Sequence, residues 1–562
     1  MNNDHQALMH NASISPEQEQ YRIAVLSVMM FLFMLVLAFI PGLKAVEGLT
    51  WGASVDFHRD ASFVRALVEG HYGEDPTYLG GSLWYTPLVG WLEGLMVWLT
   101  GRPVDEVIVR MGAYTNLLTP IAFFAMVWYF LGPVRAVLCT AVFLFFIIGH
   151  EPGWATPTYS PRLIPVSFCH WFFYIELILI HRAFLSTRIG PSVVAGAGGG
   201  ITFLAHAGPA LLSVLIIVLF TAREMYLAVR RKDGWGWPRL RASLAAGATF
   251  IIFSLPLTWT VVGEYGMRTV NRSYFLYTYY ALTLREKEIF LYHNIVLFNL
   301  VALVGLWLVV RRMDDDPTGK RELWRRILLT WFVLSVVLTV YSYVVAVLDM
   351  NFGVRLPGIL PAFHFLFYAK AAMIVFAGVA LWQGFAWLLK RVRPMLKGVD
   401  LSAHLPSVVV LFGLVAIACT LHYPSYATRR DVFSVRNRNL AFMERTNDGE
   451  ACVRIHDLLA WDDVILCEGE LSIWPLLASA RKVVATTRTM GNPYLDQRER
   501  QGDRDLLLLA MREPRTDTEA LMTKYGVTHL LVRVTDPPTM PEIPKWFTTE
   551  VYRTEEFVLF AR

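Results

Sequence analysis

Four charged or titratable side chains follow the first long apolar run of the sequence. The stretch 55-VDFHRDASF-63 contains Asp56, His58, Arg59 and Asp60. On a helix, residues i and i+4 share a face, so the carboxylates of Asp56 and Asp60 would converge. Paired carboxylates act as general bases or as ligands of divalent cations. The alternative is a solvated loop whose charges simply stay out of the lipid, and the spacing alone does not decide between the two.

A second group of candidate residues lies in 150-HEPGWATPTYSPRLIP-165, between two apolar runs. An acidic side chain here would be able to meet Asp56 across the roof of a cavity. An ordinary turn rich in proline and glycine also explains the stretch. The candidate substrate-binding or catalytic residues in it are His150, Glu151, Tyr159 and Arg162.

His206 lies in 203-FLAHAGPAL-211, at the junction of two short apolar runs. A histidine at membrane depth is a functional candidate, because ionisable groups are costly there. A packed histidine that is hydrogen-bonded to the backbone is the competing explanation.

Basic residues form a third set of candidates, because arginine forks bind phosphate well. Lys370 lies about two turns inside a predicted span, where a charge is costly unless it faces a polar cavity. For each residue alone, contact with lipid headgroups or snorkelling of a long side chain is the competing explanation. The candidates for substrate binding are Arg355, His364 and Lys370, with Arg268, Arg272, Arg285 and Lys287 in the outer loops.

The composition identifies a polytopic membrane protein. Of the 562 residues, 55% are hydrophobic and only 17% are charged, whereas soluble domains carry about 25% charged residues. No basic patch lies outside the short loops between apolar runs, so no nucleic-acid partner is predicted. The sequence has no Walker loop, which disfavours ATP-driven transport by this chain.

Eleven apolar runs are long enough to be predicted as spans of a hydrocarbon core of about 30 Å. The run 86–101 contains Pro87 and Glu93 and is short. If it does not cross, the strongly basic loops at 223–241, 311–326 and 390–397 all fall on one side, as the positive-inside rule requires. We therefore predict an interfacial helix there. The spans lie at about 23–43, 112–131, 134–149, 163–182, 190–206, 208–222, 241–262, 291–310, 326–348, 363–389 and 405–423.

This topology divides the chain into a cytoplasmic tail at 1–22, a transmembrane module at 23–423 with a first outer loop at 44–111, and an outer region at 424–562. Strand-like and helical pieces alternate in the last region, which predicts an extracytoplasmic α/β domain with a mostly parallel sheet. Cys452 and Cys467 lie in it. A disulfide between them and two unpaired cysteines are both compatible with that location.

The order of these segments resembles that of the GT-C class of integral-membrane glycosyltransferases. The architecture is like that of bacterial mannosyltransferases and aminoarabinose transferases. One span is followed by an outer loop with an early aspartate, then interfacial helices, many spans and an outward α/β domain. The residues that carry the resemblance are Asp56 with 67-LVEGHYGEDPTY-78 and 84-WYTPL-88, and, near the C-terminus, 524-KYGVTHLLVRV-534 and 551-VYRTEEFVLFAR-562.

The resemblance implies a fold and site residues. The fold is a mainly α, polytopic bundle of about eleven spans. The catalytic aspartate of the family falls on Asp56, with Asp60 as the rival, and the second acidic position falls on Glu151. In many members these two positions help to hold a divalent metal near the donor phosphate. Asp56 and Glu151 are therefore candidate ligands of Mg²⁺ or Mn²⁺, and the sequence leaves metal dependence open. His58, Arg59 and Tyr85 are added to the candidate substrate-binding residues.

The resemblance also implies an activity. The predicted function is transfer of a sugar from a polyprenyl-phosphate-linked donor to an envelope lipid, glycan or protein, on the outer face of the cytoplasmic membrane. Membrane lipids and the donor are the expected partners. The alternatives are a transporter or flippase of a lipid-linked sugar and a non-catalytic envelope-assembly protein. The WWD-type motif of oligosaccharyltransferases is absent, and 461-WDD-463 is not that motif, so block transfer to protein is disfavoured.

Overall fold

The structure, a computed structural model, describes residues 15–147, 157–232, 236–270, 297–311, 320–354, 356–358, 360–392, 404–487, 490–511, 517–534 and 546–562. Its helices are α1 Pro16–Val46, α2 Val55–Val68, α3 Leu88–Thr100, α4 Val104–Thr115, α5 Leu118–Leu131, α6 Pro133–Ala141, α7 Pro165–Phe168, α8 His170–Phe184, α9 Ile189–Ala205, α10 Ala207–Arg230, α11 Trp237–Trp259, α12 Leu297–Arg311, α13 Lys320–Phe352, α14 Phe363–Val392, α15 His404–Ala427, α16 Arg430–Arg445, α17 Asp448–Leu458, α18 Gln497–Ala510 and α19 Thr518–Tyr525. Its strands are β1 Val464–Cys467, β2 Lys482–Val483, β3 Val527–Arg533, β4 Thr549–Arg553 and β5 Phe557–Ala561.

The helical part is that of a multi-pass membrane protein. The eleven predicted segments are largely helical where the structure describes them, with non-helical residues at 116–117, 147, 163–164, 169 and 206. Seven helical stretches in the described residues are long and apolar enough to cross a bilayer. Shorter apolar helices lie between them, and a single apolar cluster built on Phe123, Phe143, Phe173, Trp331 and Tyr368 joins the bundle. The prediction of a mainly α membrane bundle is confirmed.

Helix α3 covers the run that the sequence places at the membrane surface. Its 13 residues rise about 20 Å, which is less than a hydrocarbon core of about 30 Å. Trp98 and Leu99 are exposed, whereas Val89 and Glu93 on the other face are buried. An exposed apolar face on a short helix within the first loop suits a location in the membrane interface.

The C-terminal sheet is mixed, and the expectation of a mostly parallel sheet is wrong. Its strand order is β2-β1-β3-β5-β4. Strand β1 pairs in parallel with β2 and with β3, but β5 pairs antiparallel with both β3 and β4. The reason is the short connection of residues 554–556 between β4 and β5, since a tight turn can join only antiparallel strands. Cys452 and Cys467 are both free and buried.

The first loop is attached to this C-terminal sheet. The main-chain N–H of Val483 on β2 donates to the carbonyl of Thr77 at 2.9 Å. The buried Tyr78 hydroxyl donates to Gln497 at 2.7 Å, and the amide of Asn492 donates to the carboxylate of Asp75 at 3.0 Å. These contacts fix the segment that leads from α2 into α3, and hence the spacing of those two helices.

Candidate functional site

Helix α2 places the acidic pair of the first loop on one face. The Ser54 side chain accepts a hydrogen bond from the N–H of Phe57 at 3.2 Å and caps the helix. Asp56 lies in the first turn, where the helix dipole favours a negative charge. The opposite face, with Phe57, Ala61 and Val64, is buried in an apolar cluster. Burial of that face directs Asp56 and Asp60 to the other side.

Arg59 bridges the two carboxylates. Its Nη1 lies 3.1 Å from Oδ1 of Asp56, and its Nη2 lies 2.8 Å from Oδ1 of Asp60. Its Nε donates to the same Asp60 oxygen at 2.9 Å. The guanidinium lies 4.1 Å above the ring of Tyr85, which stacks on Phe63. The predicted residues Asp56, Arg59, Asp60 and Tyr85 therefore form one cluster.

The two aspartates differ in accessibility. The side chain of Asp56 is 44% exposed, whereas that of Asp60 is 6% exposed. Burial, opposed by the charge of Arg59 and reinforced by that of Asp56, raises the pKa of Asp60 to about 6. Asp60 is held by the contacts of Arg59, and Asp56 is the more accessible of the two carboxylates.

His58 points away from this cluster. Its ring is completely buried and lies against Trp51 and Trp474, with ring centroids 5.4 and 4.2 Å away. Burial, together with the positive charge of Arg65, lowers the pKa of His58 to about 3. The ring is neutral at physiological pH and packs between α2 and the C-terminal region, rather than beside Asp56.

Two histidines from distant parts of the chain stack on each other. The rings of His206 and His364 are 4.9 Å apart and nearly parallel. Nδ1 of His206 accepts from the N–H of Gly208 at 3.0 Å, so the neutral ring carries its proton on Nε2. Nδ1 of His364 lies 3.2 Å from the carbonyl of Pro361 and must donate to it, which leaves Nε2 as an acceptor. The pair presents one donor and one acceptor.

Electrostatic interactions connect this histidine pair to α2. Asp56 lies near enough to His364, and His170 and Arg59 lie near enough to His206, for an electrostatic effect that is smaller than the effect of burial. His170 begins α8 and stacks on Tyr368 at 5.2 Å. Sequence reasoning missed His170, although the criterion that selected His206, a histidine within an apolar run, applies to it equally.

The structure places three other predicted residues outside this cluster. The Tyr159 hydroxyl is buried and donates to the carbonyl of Ala113 at 2.7 Å. Arg162 lines a different cavity, beside Ser54 and Phe57 on the far side of α2. Lys370 is buried in α14, about 9 Å along the helix axis and about 120° around it from His364. His150, Glu151 and Arg355 lie outside the described residues.

A further carboxyl group, Glu93, was not selected from the sequence. Its side chain is only 1% exposed and belongs to the buried face of α3. Burial, and then the neighbouring charge of Asp60, raise the pKa of Glu93 well above its usual range. A glutamate in the middle of a short apolar run could have identified this residue. In the sequence, Glu93 served only to predict that the run 86–101 does not cross the membrane.

The predicted metal ligands are Asp56 and Glu151, and Glu151 lies outside the described residues, so the metal site stays a prediction. No group of three His, Cys, Asp or Glu side chains converges within the part of the chain that the structure describes. Asp60 contacts Arg59, and Asp56 is the more accessible carboxylate in the described cluster. We therefore derive no chemical step through a metal ion.

The comparisons with known proteins fit this geometry at the level of the fold. A scan against protein-family models found no match, and a search of curated proteins found no similar sequence. Among solved structures, ArnT from Cupriavidus metallidurans in the apo state is similar with a TM-score of 0.52 and 13% identity, over 94% of this chain and 97% of ArnT. This chain has a GT-C-like fold. The predicted fold is thereby confirmed.

Two further solved structures are similar to this chain. ArnT from Cupriavidus metallidurans bound to undecaprenyl phosphate matches with the same TM-score of 0.52 and 13% identity, again over 94% of this chain and 97% of that chain. The Archaeoglobus fulgidus oligosaccharyltransferase in complex with Zn and sulfate has a TM-score of 0.49 and 14% identity, over 89% of this chain and 68% of that one. At these identities the likeness describes the fold alone.

Proposed function

We propose that this protein is a membrane glycosyltransferase that moves a sugar from a polyprenyl-phosphate-linked donor to an envelope lipid, glycan or protein. The proposed location is the cytoplasmic membrane, with the N-terminus inside, the C-terminal domain outside and the reaction on the outer face. The observation that carries the proposal is the half-exposed Asp56 paired with Arg59, in a chain whose fold is similar to that of an undecaprenyl-phosphate-bound protein. The stacked pair of His206 and His364 is a second candidate group.

Asp56 is the proposed general base. Its carboxylate takes the proton of the acceptor hydroxyl as that oxygen bonds to the anomeric carbon of the sugar. The bond between the anomeric carbon and the phosphate oxygen breaks at the same centre. The electron pair leaves with the polyprenyl phosphate, so charge and atoms balance without a further reactant. The half-exposed position of Asp56 suits this role, because both substrates must reach the carboxylate.

Arg59 and the histidine pair are the proposed substrate-binding groups. A guanidinium has five N–H groups, and the ion pairs of Arg59 with Asp56 and Asp60 use three of them. The positive charge is thus held in place beside Asp56, where it stabilises the negative charge that develops on the leaving phosphate. The Nε2 donor of His206 and the Nε2 acceptor of His364 suit sugar hydroxyls.

The proposal is tested by following the sugar–phosphate bond. Purified protein is reconstituted in liposomes with radiolabelled undecaprenyl-phosphate sugars, hexoses and pentoses in parallel, together with lipid, glycan and protein fractions of the envelope. We expect label in one acceptor fraction and an equal amount of free undecaprenyl phosphate. Movement of intact donor between leaflets would establish a flippase instead. The absence of both, with protein-free liposomes as the control, would favour a non-catalytic assembly role.

The pH dependence of transfer is expected to follow Asp60. Below about pH 6 this carboxylate takes up a proton and releases its hold on Arg59. We expect kcat/KM to fall roughly tenfold per pH unit there, and Asp60→Asn to remove this acid limb while lowering the plateau. Protonation of Asp60 has the opposite effect on the stability of the folded protein. Because the folded-state pKa is raised above the unfolded value of 3.8, protonation of Asp60 favours the folded protein. If the fall in kcat/KM below about pH 6 persists unchanged in Asp60→Asn, Asp60 is not the group that causes it.

A further inference from the structure

A cavity lies between α2 and α3, next to the proposed catalytic cluster. Its free space, including the open mouth, is about 510 Å³. Carboxyl groups from both helices line it, together with aromatic rings from the first loop. The lining includes Asp60, Glu93, Tyr85, Tyr72, Trp91 and His71.

Glu93 is the unusual group in this cavity. Both of its carboxyl oxygens are buried and have no hydrogen-bond partner in the described structure. An unsatisfied buried polar group costs about 1–3 kcal/mol, and an apolar side chain of similar size would avoid that cost. Burial and the charge of Asp60 raise its pKa well above the usual range, which favours the protonated form. A neutral carboxylic acid offers one donor and one acceptor to a ligand.

Close packing of α3 on α2 holds Glu93 in this position. A Cβ atom on Gly94 would lie 2.7 Å from Leu67 on α2, and one on Gly90 would contact Val64 at 3.8 Å. Gly94 therefore lets the helices approach closely, whereas the distance at Gly90 is an ordinary van der Waals contact. Glu93, next to Gly94 on α3, lines the same cavity as Asp60.

The walls of the cavity are aromatic. Tyr72 lies 5.8 Å from Trp91, and His71 stacks on Trp461 at 4.0 Å. Ring faces suit the apolar C–H surface of a sugar, and a few polar groups at fixed points orient its hydroxyls. The negatively charged carboxylate of Asp60 makes the cavity unsuitable for a phosphate, because negative charges repel one another. A neutral polyhydroxy ligand fits these walls, and the phosphate end of the donor does not.

We propose that this cavity is the acceptor subsite of the reaction, and that it takes a sugar ring whose hydroxyls hydrogen-bond to Glu93. The inference rests on the proposed glycosyltransferase function and adds the chemical class of the acceptor to it. Asp60 lies one helical turn, about 6 Å, from Asp56. A sugar ring held against Asp60 and Glu93 therefore brings a hydroxyl within reach of the proposed base.

Two variants of Glu93 separate a binding role from a structural one. Glu93→Gln keeps a neutral donor and acceptor, whereas Glu93→Leu keeps the size and removes both. If the role is structural, Glu93→Leu will lower the melting temperature. If Glu93 serves the ligand, Glu93→Leu will melt at or above the wild-type temperature, since a buried unsatisfied group is lost. Glu499→Gln, in the exposed part of α18, is the matched control.

Binding is measured without donor, by saturation-transfer NMR of detergent-solubilised protein with the methyl pyranosides of glucose, mannose and galactose. We expect at least one to bind wild type and Glu93→Gln, and Glu93→Leu to weaken it at least tenfold. Equal binding to Glu93→Leu, or no glycoside binding to wild type, would overturn the subsite. Because no transfer is involved, Glu93-dependent binding without transfer would disprove the proposed function alone. Transfer with an unchanged acceptor KM in Glu93→Leu would disprove the subsite alone.

Discussion

Asp56→Asn is expected to lower the single-turnover rate of sugar transfer by roughly 10²- to 10⁴-fold, the range that a positioned general base contributes. Asparagine has the same shape as aspartate but cannot take the acceptor proton. The measurement is the formation of labelled product from pre-bound donor. The KM of the donor should change little, because Arg59 keeps its hydrogen bonds to Asp60.

The control for this prediction is the stability of the variant. Asp56 is 44% exposed, and an exposed ion pair contributes only about 0–1 kcal/mol. Asp56→Asn should therefore melt close to the wild-type temperature, as should Asp505→Asn on the exposed face of α18, which should also keep full activity. If Asp56→Asn transfers sugar at the wild-type rate while Asp60→Asn does not, the roles of the two aspartates are exchanged.

The local part of this site was predictable. Asp56 and Asp60 are one turn apart, so any helix over the stretch 55–63 brings them to one face. A basic residue between them completes the cluster through contacts within a single turn. The sequence could not tell the two carboxylates apart, because their accessibility depends on tertiary packing: Asp60 lines the cavity between α2 and α3, whereas Asp56 stays 44% exposed.

The pairing of His206 with His364 was beyond the sequence. Each residue was selected alone, His206 as a histidine at membrane depth and His364 as one of the basic candidates for substrate binding. Their contact depends on how α10 and α14 pack, and no local pattern records that packing. His58 was selected by its neighbours in sequence, but a helix turns about 200° between residues 56 and 58, which directs the histidine to the opposite, buried side.

The arrangement of the C-terminal strands was only partly predictable, for a similar reason. Alternating strand-like and helical pieces indicate an α/β domain, and β1 with β2 and β3 follows that rule. The last two strands have no helix between them, so β5 turns back beside β4 and also pairs antiparallel with β3. The length of the connection, rather than the composition of the strands, decided the direction.

Arg65→Met is expected to destabilise the folded protein by about 3–5 kcal/mol, the effect of breaking a buried ion pair. Nη2 of Arg65 lies 2.5 Å from Oδ2 of Asp105 on α4, and Nη1 donates to the carbonyl of Ala478 in the C-terminal domain. Both charged side chains are nearly inaccessible to solvent. Removal of the guanidinium leaves the Asp105 carboxylate buried and uncompensated. Thermal or denaturant unfolding in detergent measures the loss.

The double variant Arg65→Met/Asp105→Leu tests whether the unpaired charge causes this loss of stability. Replacing both charges by apolar groups should restore most of the stability, because the cost lies in the unpaired charge. Arg102→Met, at a position 65% exposed, should change stability by less than about 1 kcal/mol. If Arg65→Met behaves like this surface control, the buried pair does not hold the loop.

Activity separates the two variants further. Arg65 is on the same helix as Asp56 and joins α2 to α4 and to the C-terminal domain. The Met/Leu double variant keeps the packing but loses the hydrogen bond to Ala478. If that bond positions α2, transfer by the double variant will fall although its stability is restored, and added acceptor will not rescue the rate. Full activity at restored stability would mean that the buried pair serves folding alone. The C-terminal domain would then position the site through the contacts of residues 75–78.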